Sequence, residues 1–169
     1  MKKYILAFIL TYALCTSVYA KTTQVGAHDS DESQAYIMKQ ALILKTTDDY
    51  SEALKTVKEA SKKLGFKVDV RGLKYNKKTG LTFDKKECAN SNWDFPCYVE
   101  RGREEEEKPF LSIEYSNFYK DLEPGNYLVM AAIQSEDKRV PMNLLLEKTE
   151  KHYPAAYIKE IPIYMGCIH

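Results

Sequence analysis

One succession of elements occurs twice in this chain and sets the class of fold open to it. Gln34 to Thr47 holds the apolar run Ala41-Leu42-Ile43-Leu44, which fits a buried strand. Asp48 to Leu64 places Tyr50, Ala53, Leu54, Val57, Ala60 and Leu64 at three- and four-residue steps, one face of an amphipathic helix. Asp49-Tyr50-Ser51-Glu52 has capping-box-like spacing, with Asp in place of Ser or Thr, and Gly65 sits where a left-handed stop belongs. Phe66 to Arg71 then alternates apolar and polar residues, as a half-buried strand does. Near the C-terminus, Tyr127 to Ile133 is a nearly unbroken apolar run and predicts a central strand. Pro141 opens a helix whose face carries Met142, Leu145, Leu146, Thr149 and Tyr153, and Pro154 ends it. Ala155 to Met165 is a further strand in which Pro162 marks an edge or a bulge. Two strand–helix–strand units in tandem predict an α+β domain with a four-stranded antiparallel sheet and both helices packed on one face.

The N-terminus sets the compartment. Lys2 and Lys3 precede an apolar run from Tyr4 to Leu14, and Val18-Tyr19-Ala20 supplies the small residues that a signal peptidase needs. Residues 1–20 read as a secretory signal peptide, too short in its apolar core for a permanent span. Leu14 before Cys15 fits lipoprotein processing poorly, so cleavage and release are expected. The expected location is across the inner membrane, in the periplasm, with no membrane span after cleavage. Residues 21–33 are polar and acidic and read as a mobile tail, leaving 34–169 as a single domain. The chain from Lys21 carries 23 basic and 24 acidic residues, a balance that argues against a general nucleic-acid or anionic-membrane binder.

Gly72 to Gly125 is an insertion between the two units. It holds strand-like runs at Cys97 to Arg103 and Phe110 to Tyr119. The tip Glu104-Glu105-Glu106-Glu107-Lys108-Pro109 joins them, expected to stay solvated because adjacent glutamates repel. Cys88 and Cys97 flank a short, turn-rich loop, and a disulfide between them is geometrically easy. Cys167 is then the odd cysteine: a buried free thiol, or the partner of one of the others.

No catalytic constellation is visible, and the chain reads as a non-enzyme without cofactor or metal. His28, His152 and His169 are scattered without metal-ligand spacing, and there is no Gly-x-Ser-x-Gly. Glu114 sits within a strand whose face also carries Ser112 and Ser116, a pattern expected of a solvent-facing side. Arg101 and Arg103 fall on one side of a strand at i and i+2, spaced to grip a carboxylate or a polar sugar. The competing reading is charge balance with the glutamates and Glu114. Tyr98, Tyr115, Tyr119, Tyr127, Tyr157 and Tyr164 all fall in predicted strands. Such rings form a carbohydrate platform if they share one exposed face, though tyrosine is also a good strand residue.

The segment Tyr127-Leu128-Val129-Met130-Ala131-Ala132-Ile133-Gln134 through Lys151-His152-Tyr153-Pro154-Ala155-Ala156-Tyr157-Ile158-Lys159 resembles the second half of SPOR (sporulation-related repeat) domains, and Leu42 to Arg71 looks like their first half. The resemblance implies a ferredoxin-like βαβ-(insertion)-βαβ fold. It also implies binding of peptidoglycan glycan strands, or a similar polysaccharide, through the helix-free sheet face. The candidate ligand contacts are then Arg101, Arg103, Glu114, Tyr115 and Tyr127. The chain departs from the family in the length of its insertion, and no anchor or partner domain is expected. An alternative of another class is a periplasmic inhibitor or immunity protein that binds an envelope protein through the stapled insertion.

Overall fold

The structure is a computed structural model and describes residues 35–137 and 141–166. The signal peptide, the tail, Cys15, His28, Cys167 and His169 lie outside the described residues. The elements are β1 (Tyr36–Thr47), α1 (Tyr50–Leu64), β2 (Lys74–Asn76), β3 (Gly80–Thr82), α2 (Lys85–Asn90), β4 (Ser112–Tyr115), β5 (Tyr127–Gln134), α3 (Met142–Glu150) and β6 (Tyr157–Tyr164). One turn of 3-10 helix, Ser116–Phe118, follows β4.

The fold is α+β. Its main sheet has four strands in the order β4-β5-β1-β6, every neighbouring pair antiparallel. α1 forms where its periodicity predicts. Asp49 caps it by accepting from the Ser51 N–H at 2.8 Å, and Gly65 ends it at φ 72°, donating its own N–H to the Ser61 carbonyl. Ala53, Val57 and Ala60 of α1 and Met142 and Leu145 of α3 share one core with Leu42, Leu44, Val129 and Ala131, so both helices cover the same sheet face. Pro141 is the residue that precedes α3 rather than part of its first turn.

The first unit closes differently from expectation. Phe66 to Arg71 does not form a strand: only Val68 pairs, in a single parallel bridge to Leu111. Arg71 and Gly72 both take positive φ, 55° and 71°, and the Asp69 carboxylate accepts the Arg71 N–H at 2.7 Å, so the chain turns away. The place beside β5 is filled instead by β4, which comes from the insertion. Cys97 to Arg103 is also irregular, and Phe110 to Tyr119 contracts to the four residues of β4.

Pro162 falls on the edge strand. The Met165 N–H donates to the Ala35 carbonyl, so the alternate residues Tyr164, Pro162, Glu160 and Ile158 turn their backbone groups outward. A proline there costs the ladder no hydrogen bond.

The helix-free face is not open. Ala41, Ile43, Met130, Ile133, Ile161 and Ile163 lie beneath Tyr119, Tyr98, Phe118 and Leu122 of the insertion and form a second core. The sheet is apolar on both faces, and the insertion is long enough to cover the second one.

Cys88 and Cys97 are joined by a disulfide, nine residues apart, closing the loop after α2. Replacing both by serine is expected to destabilise by roughly 2–3 kcal/mol, from the loop-closure entropy returned to the unfolded chain. Urea titration of the two proteins in parallel measures it.

Candidate functional site

The insertion is fastened over the sheet by buried charge. On β4, Ser112 and Glu114 project to the same side, which was expected to face solvent. It faces the insertion instead, and Glu114 is 0% exposed. One carboxylate oxygen accepts from Arg71 Nη1 at 2.7 Å and from the Tyr119 hydroxyl at 2.8 Å, and the Tyr98 hydroxyl donates to it as well. Ser112 Oγ donates to the other oxygen. Arg71 uses its second amino group on the Val99 carbonyl at 2.7 Å. The positive φ of Arg71, which ends the first unit early, thus places its guanidinium over β4.

Arg101 is the centre of a second group. Its Nε and Nη2 grip Glu106 in a fork at 2.6 and 2.8 Å. Nη1 donates to Ser112 Oγ at 2.8 Å and to the Met130 carbonyl at 3.0 Å, and Nη2 donates to the Phe110 carbonyl at 3.0 Å. The five N–H donors of a guanidinium are thereby all used. Ser112 touches both Arg101 and Glu114 and joins the two groups. Beside Arg101, Gly102 takes φ 97°, and a Cβ there would lie 2.7 Å from Ile133 Cδ1, so only glycine lets the chain press this closely on β5.

The acidic run is therefore not a free hairpin tip. Glu106 holds Arg101, and Glu105 pairs with the buried Lys39 of β1 at 2.6 Å and accepts from Ser135 Oγ at 2.8 Å. Repulsion among neighbouring glutamates is offset because two of them meet cations from other elements.

Arg103 does not act with Arg101. Its two amino groups donate to the carbonyls of Tyr164 and Gly166, both at 2.7 Å. Glu100 receives the Tyr164 N–H, and burial raises its carboxyl pKa despite that bond and the nearby Arg103. The insertion so occupies part of the outward edge of β6.

The tyrosines divide. Tyr115 and Tyr127 belong to a packed aromatic row in which Tyr50 and Tyr75 stack at 4.3 Å, Tyr50 meets Tyr127 at 5.4 Å and Tyr115 meets Tyr127 at 5.1 Å. Of these only Tyr75 is well exposed. Burial, then the neighbouring tyrosines, pushes the Tyr127 pKa up to about 12. Tyr98 and Tyr119 lie over the second core, Tyr164 stands near Arg103, and Tyr157 bonds to Thr46 on the sheet's other end. They do not make one exposed platform.

Burial, reinforced by the Glu114 charge, lifts the Tyr98 and Tyr119 pKa values well above the ordinary value of about 10. A raised folded pKa contributes stability that is full below the unfolded value and is lost as pH climbs through the folded one. The protein is therefore expected to hold its stability up to about pH 9 and to lose it above about pH 10. Phenolate absorbance should show these two tyrosines ionising only with unfolding.

A cleft of about 840 Å³ opens where the insertion meets the ends of β4 and β6. Arg71, Glu100, Arg103, Glu104, Phe110 and Met165 line it, with Arg101 at its base. Of the five expected contacts, Arg101 and Arg103 reach this cleft. Glu114 lies behind it, and Tyr115 and Tyr127 are elsewhere. Arg71 and Lys39 carry much of the arrangement and were not singled out by sequence, while Tyr98 was read as a platform ring and Glu106 as part of a solvated tip. A signal existed for Lys39: it interrupts a buried strand on the face of Ala41 and Ile43, which demands a partner. Among the described residues no group of three or more His, Cys, Asp or Glu is placed to hold a metal, and no helix is long and apolar enough to cross a membrane.

Comparison with protein-family models, with curated proteins and with solved structures returned no match.

Proposed function

We propose that this protein is a secreted, periplasmic binding module without catalytic activity. Its ligand is peptidoglycan glycan or a similar polysaccharide, held in the cleft and not on the sheet face. The arrangement is ferredoxin-like and SPOR-like. The strand order, with β1 and β5 central and α1 and α3 on one side, supports it. The cleft carries the reading: it combines the guanidinium groups of Arg71 and Arg103, the carboxylates of Glu100 and Glu104, and the apolar surfaces of Phe110 and Met165. Sugar hydroxyls need that density of donors and acceptors, and sugar C–H faces need the apolar surface. The covered sheet face moves recognition to the cleft.

Co-sedimentation with purified sacculi, before and after amidase removal of stem peptides, tests it. Pelleting should rise after amidase treatment, and Glu104→Ala should reduce it without changing stability, because Glu104 is exposed. Absence of pelleting with both preparations would refute the glycan reading.

A second reading rests on the disulfide loop. Phe95 and Pro96 are exposed on a segment held by Cys88–Cys97 and by the capped helix α2. A rigid support for an exposed aromatic residue suits an inhibitor or immunity protein docking on an envelope protein. A stoichiometric partner lost on Phe95→Ala would favour it.

A further inference from the structure

The even charge balance of the chain hides a separation. From Lys55 to Lys86 there are eleven basic and three acidic residues; from Glu87 to Asp137 there are four basic and twelve acidic ones. The acidic stretch spends part of its charge internally, through Glu105, Glu106 and Glu114 on Lys39, Arg101 and Arg71. Of the basic stretch, Arg71 alone is in an ion pair among the described residues. Lys55, Lys58 and Lys62 recur on the side of α1 opposite Ala53, Val57 and Ala60, and all three are exposed. The β2–β3 hairpin lies beside that helix, fixed by the stacking of Tyr75 on Tyr50 at 4.3 Å, and adds the exposed Lys74, Lys77 and Lys78. None of these six lysines is in an ion pair among the described residues. Glu59 is exposed on the same helix, and Glu52 of its first turn is bonded to Lys45 and Thr47.

We propose that this lysine flank is a second binding surface, separate from the cleft, for an anionic polysaccharide bearing phosphate, sulfate or carboxylate groups. Charge complementarity selects the class. Three lysines on the solvent side of α1, with three more on the hairpin that stacks on its first turn, raise a local potential that a repeating polyanion satisfies several contacts at a time. Lysine ammonium groups on flexible stems suit irregularly spaced anions better than one bidentate ligand. A ligand held by these ammonium groups is held by charge and must be released by salt.

The test titrates the purified protein with dextran sulfate and with neutral dextran at low and high salt. Dextran sulfate should bind, at least tenfold more weakly at high salt, and neutral dextran should not. The quadruple variant K58E/K62E/K77E/K78E should lose at least tenfold in affinity. A variant of equal charge change elsewhere, K120E/K148E/K151E/K159E, should stay within about threefold. Equal loss in both variants would overturn the proposal, because net charge rather than this flank would then be responsible. So would the absence of dextran sulfate binding at low salt. A low-salt dimer by light scattering that the flank variant abolishes would also overturn it, since the acidic stretch of a second copy would be the occupant. Sacculus pelleting of the flank variant should match that of the parent, which separates this surface from the cleft.

Discussion

Replacing Glu114 by alanine is expected to destabilise the protein by about 3–5 kcal/mol, the range for removing one member of a buried ion pair. The carboxylate is the common acceptor of Arg71, Tyr98, Tyr119 and Ser112 and is 0% exposed. Its removal leaves a largely buried guanidinium and three hydroxyls short of an acceptor. At roughly 2–4 °C per kcal/mol for a domain of this size, the melting temperature should fall by about 6–20 °C. Glu114→Gln keeps the shape and one acceptor oxygen, and should fall between the two. A urea midpoint for Glu114→Ala within about 0.5 kcal/mol of the parent, the usual range for surface changes, would show that the network is not what holds the insertion down.

Arg101→Ala is expected to cost a similar amount, about 3–5 kcal/mol, for a different combination of reasons. Glu106 loses both arms of its fork, the carbonyls of Met130 and Phe110 lose a donor, and the ring of Phe110 loses the guanidinium 3.7 Å from its centroid. An arginine kept for a ligand would behave in the opposite way, with binding lost and stability unchanged. The two substitutions should also fail to add. Ser112 is bonded to both Arg101 and Glu114, so the double variant should cost less than the sum of the singles. Denaturation of all four proteins under one condition gives that coupling directly; additivity within about 0.3–0.5 kcal/mol would separate the two groups.

Local signals in the chain describe its helices and central strands well, because those follow periodicity. The α1 face from Tyr50 to Leu64, the cap at Asp49 and the stop at Gly65 are legible one turn at a time. β5 is legible because a strand buried on both faces reads as an unbroken apolar run. The alternation of Phe66 to Arg71 misleads because register competes globally: β4 takes the place beside β5, and no local pattern announces which segment wins. Glu114 misleads for a related reason. A strand face bearing serine and glutamate looks solvated until another layer covers it, and that layer is irregular chain with no period to read. The acidic run fails in the same way, since the partners of Glu105 and Glu106 are distant in sequence or hidden by the assumption of a hairpin. The disulfide was legible because its loop is short.

The position of β1 has a consequence for the order of events as the chain is made. β1 is the first of the described strands to emerge, yet both of its neighbours, β5 and β6, begin only at Tyr127 and Tyr157. Until those residues are available, Ala41-Leu42-Ile43-Leu44 has no native strand to pair with on either side. Folding must then be gated by arrival of the C-terminal end, and the growing chain carries an unpaired apolar strand throughout. A chain cut short anywhere before Tyr157 would leave one edge of β1 bare, an open template for association with other chains. The last strand made is thus what closes the first, and whatever holds the chain unfolded until then governs its yield.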